Sequence, residues 1–107
     1  MEMPDTLRWH DGVLILLDQT RLPLNESYID CRDYRRVAEA IKRLEVRGAP
    51  AIGAAAAFGL VLGAYELVRT GQPMRLELSQ IAAELTATRP TAVNLSWAIR
   101  RMMRVVE

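Results

Sequence analysis

The sequence has one cysteine, one histidine and one phenylalanine in 107 residues. With Cys31 alone there is no internal disulfide framework and no cysteine metal cluster. A buried structural thiol is the expected state of Cys31. His10 has no partner at ligand spacing and is expected to face solvent at a turn. Neither sign of charge is in excess: 14 Lys and Arg stand against 13 Asp and Glu, a formal net charge of +1. Bulk basicity therefore does not point to nucleic acid as a partner. Met1-Glu2-Met3-Pro4-Asp5 lacks the basic and apolar regions of a secretory signal, so a cytoplasmic location is expected. Gly48 to Tyr65 carries no charge and is as long as a short membrane span, but Ala and Gly contribute little transfer energy. It reads as the buried central helix of a bundle, not as a membrane segment.

What is present suffices for one domain with a real core, since half of the residues are apolar. The expected class is α+β, mostly α: a small N-terminal antiparallel sheet of two to three strands, then about four helices. Asp11-Gly12 is a type I′ turn signal joining Leu7–His10 to Val13–Leu17. The second strand is apolar on both faces, so both are expected to be covered. Ser27–Cys31 alternates and suits a third strand, with Cys31 on the face of Ile29. Trp9 is read as a packing residue.

Asp33 is placed to cap a first helix over 34–45, with Tyr34, Val37, Ala38, Ile41 and Leu44 as its apolar stripe. Arg35 and Arg36 sit in its first turn, where positive charge opposes the helix dipole. The second helix runs from Pro50 to about Arg69, and Gly71 and Pro73 end it. Gly53, Gly59 and Gly63 cost about 1 kcal/mol each inside a helix relative to Ala, so close packing on several sides is expected. A third helix spans about Met74 to Ala87, with Leu78, Ile81, Ala82 and Leu85 inward. A fourth starts near Thr91 or Ala92, with Val93, Trp97, Ile99, Met102, Val105 and Val106 as its apolar residues. Its pattern still runs at Glu107 without a stop signal, so the chain is expected to be a fragment.

The stretch that organises the rest is Arg47-Gly48-Ala49-Pro50-Ala51-Ile52-Gly53. With Pro50 as the first helical residue, Ala49 is the N-cap, and alanine cannot accept from the first-turn amides. Those amides need another partner, and an anion suits them. Gly48 removes bulk at the approach, and Arg47 offers a planar donor fork. A helix start satisfied by neighbouring loops is the other reading. Short connections make helices two, three and four run up, down and up, so Arg47 and Arg89 should share a rim beside two helix N-termini. Pairing of Arg89 with Glu45 or Glu84 is the alternative.

Arg8-Trp9, Asp18-Gln19-Thr20, Arg47 through Gly53 and Arg89-Pro90-Thr91-Ala92-Val93-Asn94-Leu95 occur in the order that resembles the N-terminal part of the methylthioribose-1-phosphate isomerase family. That family shares a superfamily with ribose-1,5-bisphosphate isomerase and the regulatory subunits of the eukaryotic initiation-factor exchange complex (initiation factor 2B). The resemblance covers nearly the whole sequence. It implies that Arg47, Gly48, Ala49 and Arg89 contact a sugar phosphate. It implies an aldose–ketose isomerase of methionine salvage that needs neither metal nor nucleotide cofactor and is a homodimer at full length. The family's catalytic cysteine and aspartate belong to a second, Rossmann-like domain absent from this sequence. Cys31 does not match the context of that cysteine, so no catalytic residue is assigned to residues 1–107, and the piece alone is expected to be inactive. Ribose-1,5-bisphosphate isomerase and a non-catalytic regulatory subunit are the alternatives within the superfamily. A small helical interaction domain is the alternative outside it.

Overall fold

A computed structural model describes residues 7–106. The reading of Met1 to Asp5, and the side chain of Val106, lie outside the described residues. Strands β1 (Leu7–His10), β2 (Val13–Leu17) and β3 (Tyr28–Cys31) form an antiparallel sheet in that order. Asp11 and Gly12 both have positive φ, as a type I′ hairpin requires. The register pairs Trp9 with Leu14 and Leu14 with Cys31, so Leu7, Trp9, Leu14, Leu16, Ile29 and Cys31 share one face. That face meets the helices, and the Trp9 ring stacks on Phe58 with centroids 5.1 Å apart. The other face is less covered than its composition suggests. Val13 and Ile15 are only half-buried, although Leu17 is buried.

Four helices follow: α1 (Tyr34–Lys42), α2 (Ala49–Thr70), α3 (Met74–Thr88) and α4 (Val93–Val106). Asp33 caps α1, accepting from the Arg36 amide at 3.0 Å. The helix stops three residues before the expected position 45. Leu44 takes a left-handed conformation with φ of 63°, and the Glu45 amide folds back to the Ala40 carbonyl at 2.9 Å. Leu44 thereby leaves the apolar stripe and is 43% exposed, while Ala40 is buried in its place. The two arginines of the first turn are explained within the domain. Arg35 forks onto Glu66 of α2 at 3.1 and 3.3 Å, and Arg36 forks onto Glu45 at 2.9 and 3.5 Å.

Helix α2 is the hub, packed against α1, α3 and α4. Its length and hydropathy would let it cross a membrane, and half of its most apolar window is buried here among the other helices. Its three internal glycines each face a different neighbour. A Cβ at Gly53 would lie 3.0 Å from the Asn94 carbonyl oxygen of α4. At Gly59 it would lie 3.1 Å from Val37 of α1, and at Gly63 3.0 Å from Ile81 of α3. Gly59 faces Leu85 and Gly63 faces Ile81, so α3 runs antiparallel to α2. Gly53 sits against Asn94, and Leu60 and Ala64 lie beside Met102 and Val105, so α4 runs parallel to α2. The up-down-up arrangement follows, and α2 and α4 begin at the same end. Gly71 ends α2 with φ of 70°, and Leu78, Ile81, Ala82 and Leu85 of α3 are buried as their spacing predicts.

Candidate anion site

Two helix starts build the site. At the first, the structure moves the cap by one residue. Gly48, not Ala49, is the N-cap of α2: its carbonyl accepts from the Ile52 amide at 2.9 Å. The cap has φ of 92° and ψ of 130°, which glycine adopts without steric cost and alanine does not. Ala49 is then the first helical residue and Pro50 the second, where its missing N–H removes no helix bond. No side chain caps this end. The amides of Ala49 and Ala51 have no backbone partner among the described residues. Arg47 stands just outside, exposed, its Nε donating to the Leu44 carbonyl at 3.2 Å. That single bond leaves the terminal nitrogens of its guanidinium free to donate elsewhere.

The second start repeats the pattern. The Ala92 amide turns back to the Arg89 carbonyl at 3.0 Å, and the Ala92 carbonyl accepts from Ser96 at 3.1 Å. Ala92 is therefore the cap of α4, and its methyl group accepts nothing. The amides of Val93, Asn94 and Leu95 point out of this end without a backbone partner among the described residues.

Both starts open on one cavity of about 430 Å³, lined by Arg47, Gly48, Ala49 and Ile52 from one side and by Arg89, Ala92, Val93, Asn94 and Leu95 from the other. Arg47 and Arg89 thus converge as the topology predicts. Neither alternative partner takes Arg89. Glu45 is engaged by Arg36, and Glu84 forms no ion pair with Arg89; burial and the Glu84 carboxylate raise the Tyr34 hydroxyl's pKa. No carboxylate among the described residues lies within ion-pair distance of Arg47 or Arg89. Two positive dipole ends and two guanidinium groups without counter-charges meet at this cavity, a donor set suited chemically to a multiply charged anion.

The sequence places a second helix N-terminus on this rim, and the structure identifies the amides of Val93 to Leu95 as its donors. Their signal was the same as at Gly48-Ala49, a helix start preceded by Ala92 instead of a polar cap. The reading of α4 also needs correction. Leu95 and Ile99 are its buried residues, with Met102 and Met103 half-buried. Of the apolar residues expected on this helix, Val93 and Trp97 are 75% and 60% exposed, and Val105 is exposed as well. Val93 and Trp97 instead border a second, shallow groove of about 620 Å³ between α2 and α4, with Pro50, Ala54 and Ala57 opposite.

Cys31 is fully buried, and burial pushes its thiol pKa up to about 11, with Arg36 opposing the shift only in part. A neutral thiol in that setting is a packing group, not a nucleophile. Among the described residues no three His, Cys, Asp or Glu side chains gather as a metal site would require.

Residues 45–107 match the sequence pattern of a family described as the Initiation factor 2 subunit family. A methylthioribose-1-phosphate isomerase of Pelotomaculum thermopropionicum is 64% identical over 104 residues, covering 95% of this chain and 29% of that protein. One from Heliobacterium modesticaldum is 56% identical over 106 residues, covering 96% and 30%. Among solved structures, 5-methylthioribose 1-phosphate isomerase from Pyrococcus horikoshii OT3 superimposes with a TM-score of 0.83 at 38% identity, covering 98% of this chain and 30% of that one. The delta subunit of translation initiation factor eIF-2B from A. fulgidus gives 0.82 at 44% identity, covering 92% and 29%. The chain thus spans 29–30% of the length of these curated relatives.

Proposed function

The chain belongs to the Initiation factor 2 subunit family, and from that premise we propose that it is the N-terminal, phosphate-gripping part of an aldose–ketose isomerase. The substrate is 5-methylthioribose 1-phosphate and the product 5-methylthioribulose 1-phosphate, a step of methionine salvage. The observation that carries the reading is the single cavity into which two uncapped helix starts, Arg47 and Arg89 all open. The high identity to isomerases of that substrate name supports the choice of sugar phosphate.

An anomeric phosphate locks the sugar ring, so isomerisation needs acid–base groups in a site closed to water. This domain offers donors in the cavity and no suitable base. It holds the phosphate while the remainder of the polypeptide supplies the acid and base, and it is inactive alone. Arg47, Gly48, Ala49 and Arg89 are the binding residues. No cofactor is required. The balanced charge and the enclosed α2 favour a small molecule over nucleic acid or membrane as partner. We extend the proposal to a cytoplasmic homodimer at full length, on the strength of the family resemblance.

Arg47→Ala and Arg89→Ala in the full-length polypeptide should each raise KM by about 10- to 100-fold, the range expected for one charge-assisted bond of about 1.5–3 kcal/mol. Steady-state kinetics with 5-methylthioribose 1-phosphate reads this directly, and an unchanged KM in both variants would sink the reading. The likeness to an initiation-factor delta subunit supports a second reading, a non-catalytic subunit that binds the same anion. Full-length protein that binds the sugar phosphate but never turns it over would select it. Competition with ribose 1,5-bisphosphate separates the two isomerase assignments.

A further inference from the structure

Glu45 lies two residues before Arg47 and is a buried carboxylate, only 9% exposed. Three separate contacts fix it. Its amide donates to the Ala40 carbonyl at the end of α1, and its own carbonyl accepts from the Gln19 amide at 2.9 Å. Its carboxylate receives both terminal nitrogens of Arg36, at 2.9 and 3.5 Å. Each partner is itself held. Arg36 stands in the first turn of α1, capped by Asp33, and the Asp18 carboxylate pins the turn containing Gln19 by accepting from the Thr20 amide at 2.9 Å. Just before Glu45, Leu44 adopts φ of 63°, a conformation unfavourable for a leucine that persists only where its surroundings enforce it. The Leu44 carbonyl presented by that turn is the acceptor that orients the Arg47 guanidinium.

We propose that the half-buried Arg36–Glu45 pair is a positioning device for the anion rim: it locks the left-handed turn at Leu44 so that Arg47 and the amides after Gly48 face the cavity. This rests on the phosphate-binding reading of that cavity. Glu45 touches no substrate. It acts through the Leu44 carbonyl and the short chain from Glu45 to Gly48. A pair serving only to stabilise the fold would have no reason to lie at this point of the chain, and the molecule contains a ready comparison. Arg35 forks onto Glu66 with the same geometry, from the same turn of α1, but far along α2 from the rim.

The test uses the full-length polypeptide and four variants. Glu45→Gln keeps the shape and removes the charge. Arg36→Lys keeps the charge and removes the fork. Arg35→Met breaks the comparison pair, and Arg47→Ala reports on the rim. The expected result for Glu45→Gln is a KM raised of order tenfold with kcat within about twofold of the parent. Arg36→Lys should fall between the two, and carries the same test should Glu45→Gln not fold. Arg35→Met should lower the melting temperature and leave KM unchanged. In the Arg47→Ala background, Glu45→Gln should raise KM by clearly less than it does in the parent, because the part of its effect that runs through Arg47 is already gone. A parental KM in both Glu45→Gln and Arg36→Lys, or full additivity with Arg47→Ala, would overturn the positioning role while leaving the phosphate reading intact. A parental KM in Arg47→Ala together with a raised KM in Arg89→Ala would likewise overturn the positioning role alone, and a parental KM in both arginine variants would overturn both readings.

Discussion

Cys31 and Glu45 are both buried close to Arg36, yet their surroundings treat charge in opposite ways. Glu45 is met by a guanidinium fork, whereas burial disfavours the Cys31 thiolate and pushes its pKa from 9.0 to about 11. In the native protein Cys31 should therefore resist alkylation by iodoacetamide at neutral pH and react freely once the chain is unfolded; mass spectrometry of the two samples checks this. The same shift sets a pH dependence. The folded thiol holds its proton where the unfolded one releases it, so its contribution is complete below pH 9 and is lost as pH rises from 9 to about 11. Urea midpoints across that window should fall more steeply for the parent than for Cys31→Ala. Equal slopes would show that the buried thiol carries no such linkage.

At the scale of the helices, the glycines of α2 make unequal demands. At Gly53 the added methyl would meet a backbone carbonyl, which cannot move without shifting the start of α4. At Gly63 it would meet the Ile81 side chain, which has more freedom to yield. Gly53→Ala should destabilise by about 1–3 kcal/mol despite its better helix propensity. Gly63→Ala should cost less, since both of its 3.0 Å contacts are to side-chain carbons of Ile81 that can shift, and a propensity gain of about 1 kcal/mol offsets part of that crowding. Denaturant titration of the two variants gives the comparison, and the reverse order would contradict this account of the α2–α4 contact.

Local chemistry made much of this architecture legible. Asp11-Gly12 dictated the hairpin, Asp33 and Gly71 marked helix ends, and the glycines of α2 announced close neighbours. What stayed hidden depended on contacts between distant residues. On α4, Val93 with Trp97 and Leu95 with Ile99 have the same helical spacing, so periodicity alone could not say which pair meets α2. The end of α1 is set by Glu45 being held from outside the helix, and a leucine gives no local sign of a left-handed turn. In the site, Arg47 and Arg89 could be placed on one rim from connection lengths. The exact cap at Gly48 and the engagement of Glu45 by Arg36 required the folded contacts.

Across the whole molecule, α4 presents a face that the domain does not cover. Trp97 and Val93 border an open apolar groove beside the rim, and Arg100, Arg101 and Arg104 continue the same helix outward. Under the proposed function, packing of the remainder of the full-length polypeptide against this groove is the arrangement to test. Tryptophan emission of the 107-residue piece should then lie to the red of the full-length protein, and Trp97→Phe should remove most of the difference. An unchanged contribution from Trp97 in the two forms would place the rest of the protein elsewhere.

The rim also divides its donors between two kinds of inheritance. The guanidinium groups are written in single codons and can be lost by a single change. The amides at the starts of α2 and α4 belong to the main chain, and of all side-chain replacements only proline, at one position at a time, deletes them. In the proposed site, recognition of an anion would thus have a floor set by the architecture and a variable part set by Arg47 and Arg89. Drift at the arginines tunes affinity, while the underlying preference for negative charge lasts as long as two parallel helices begin side by side.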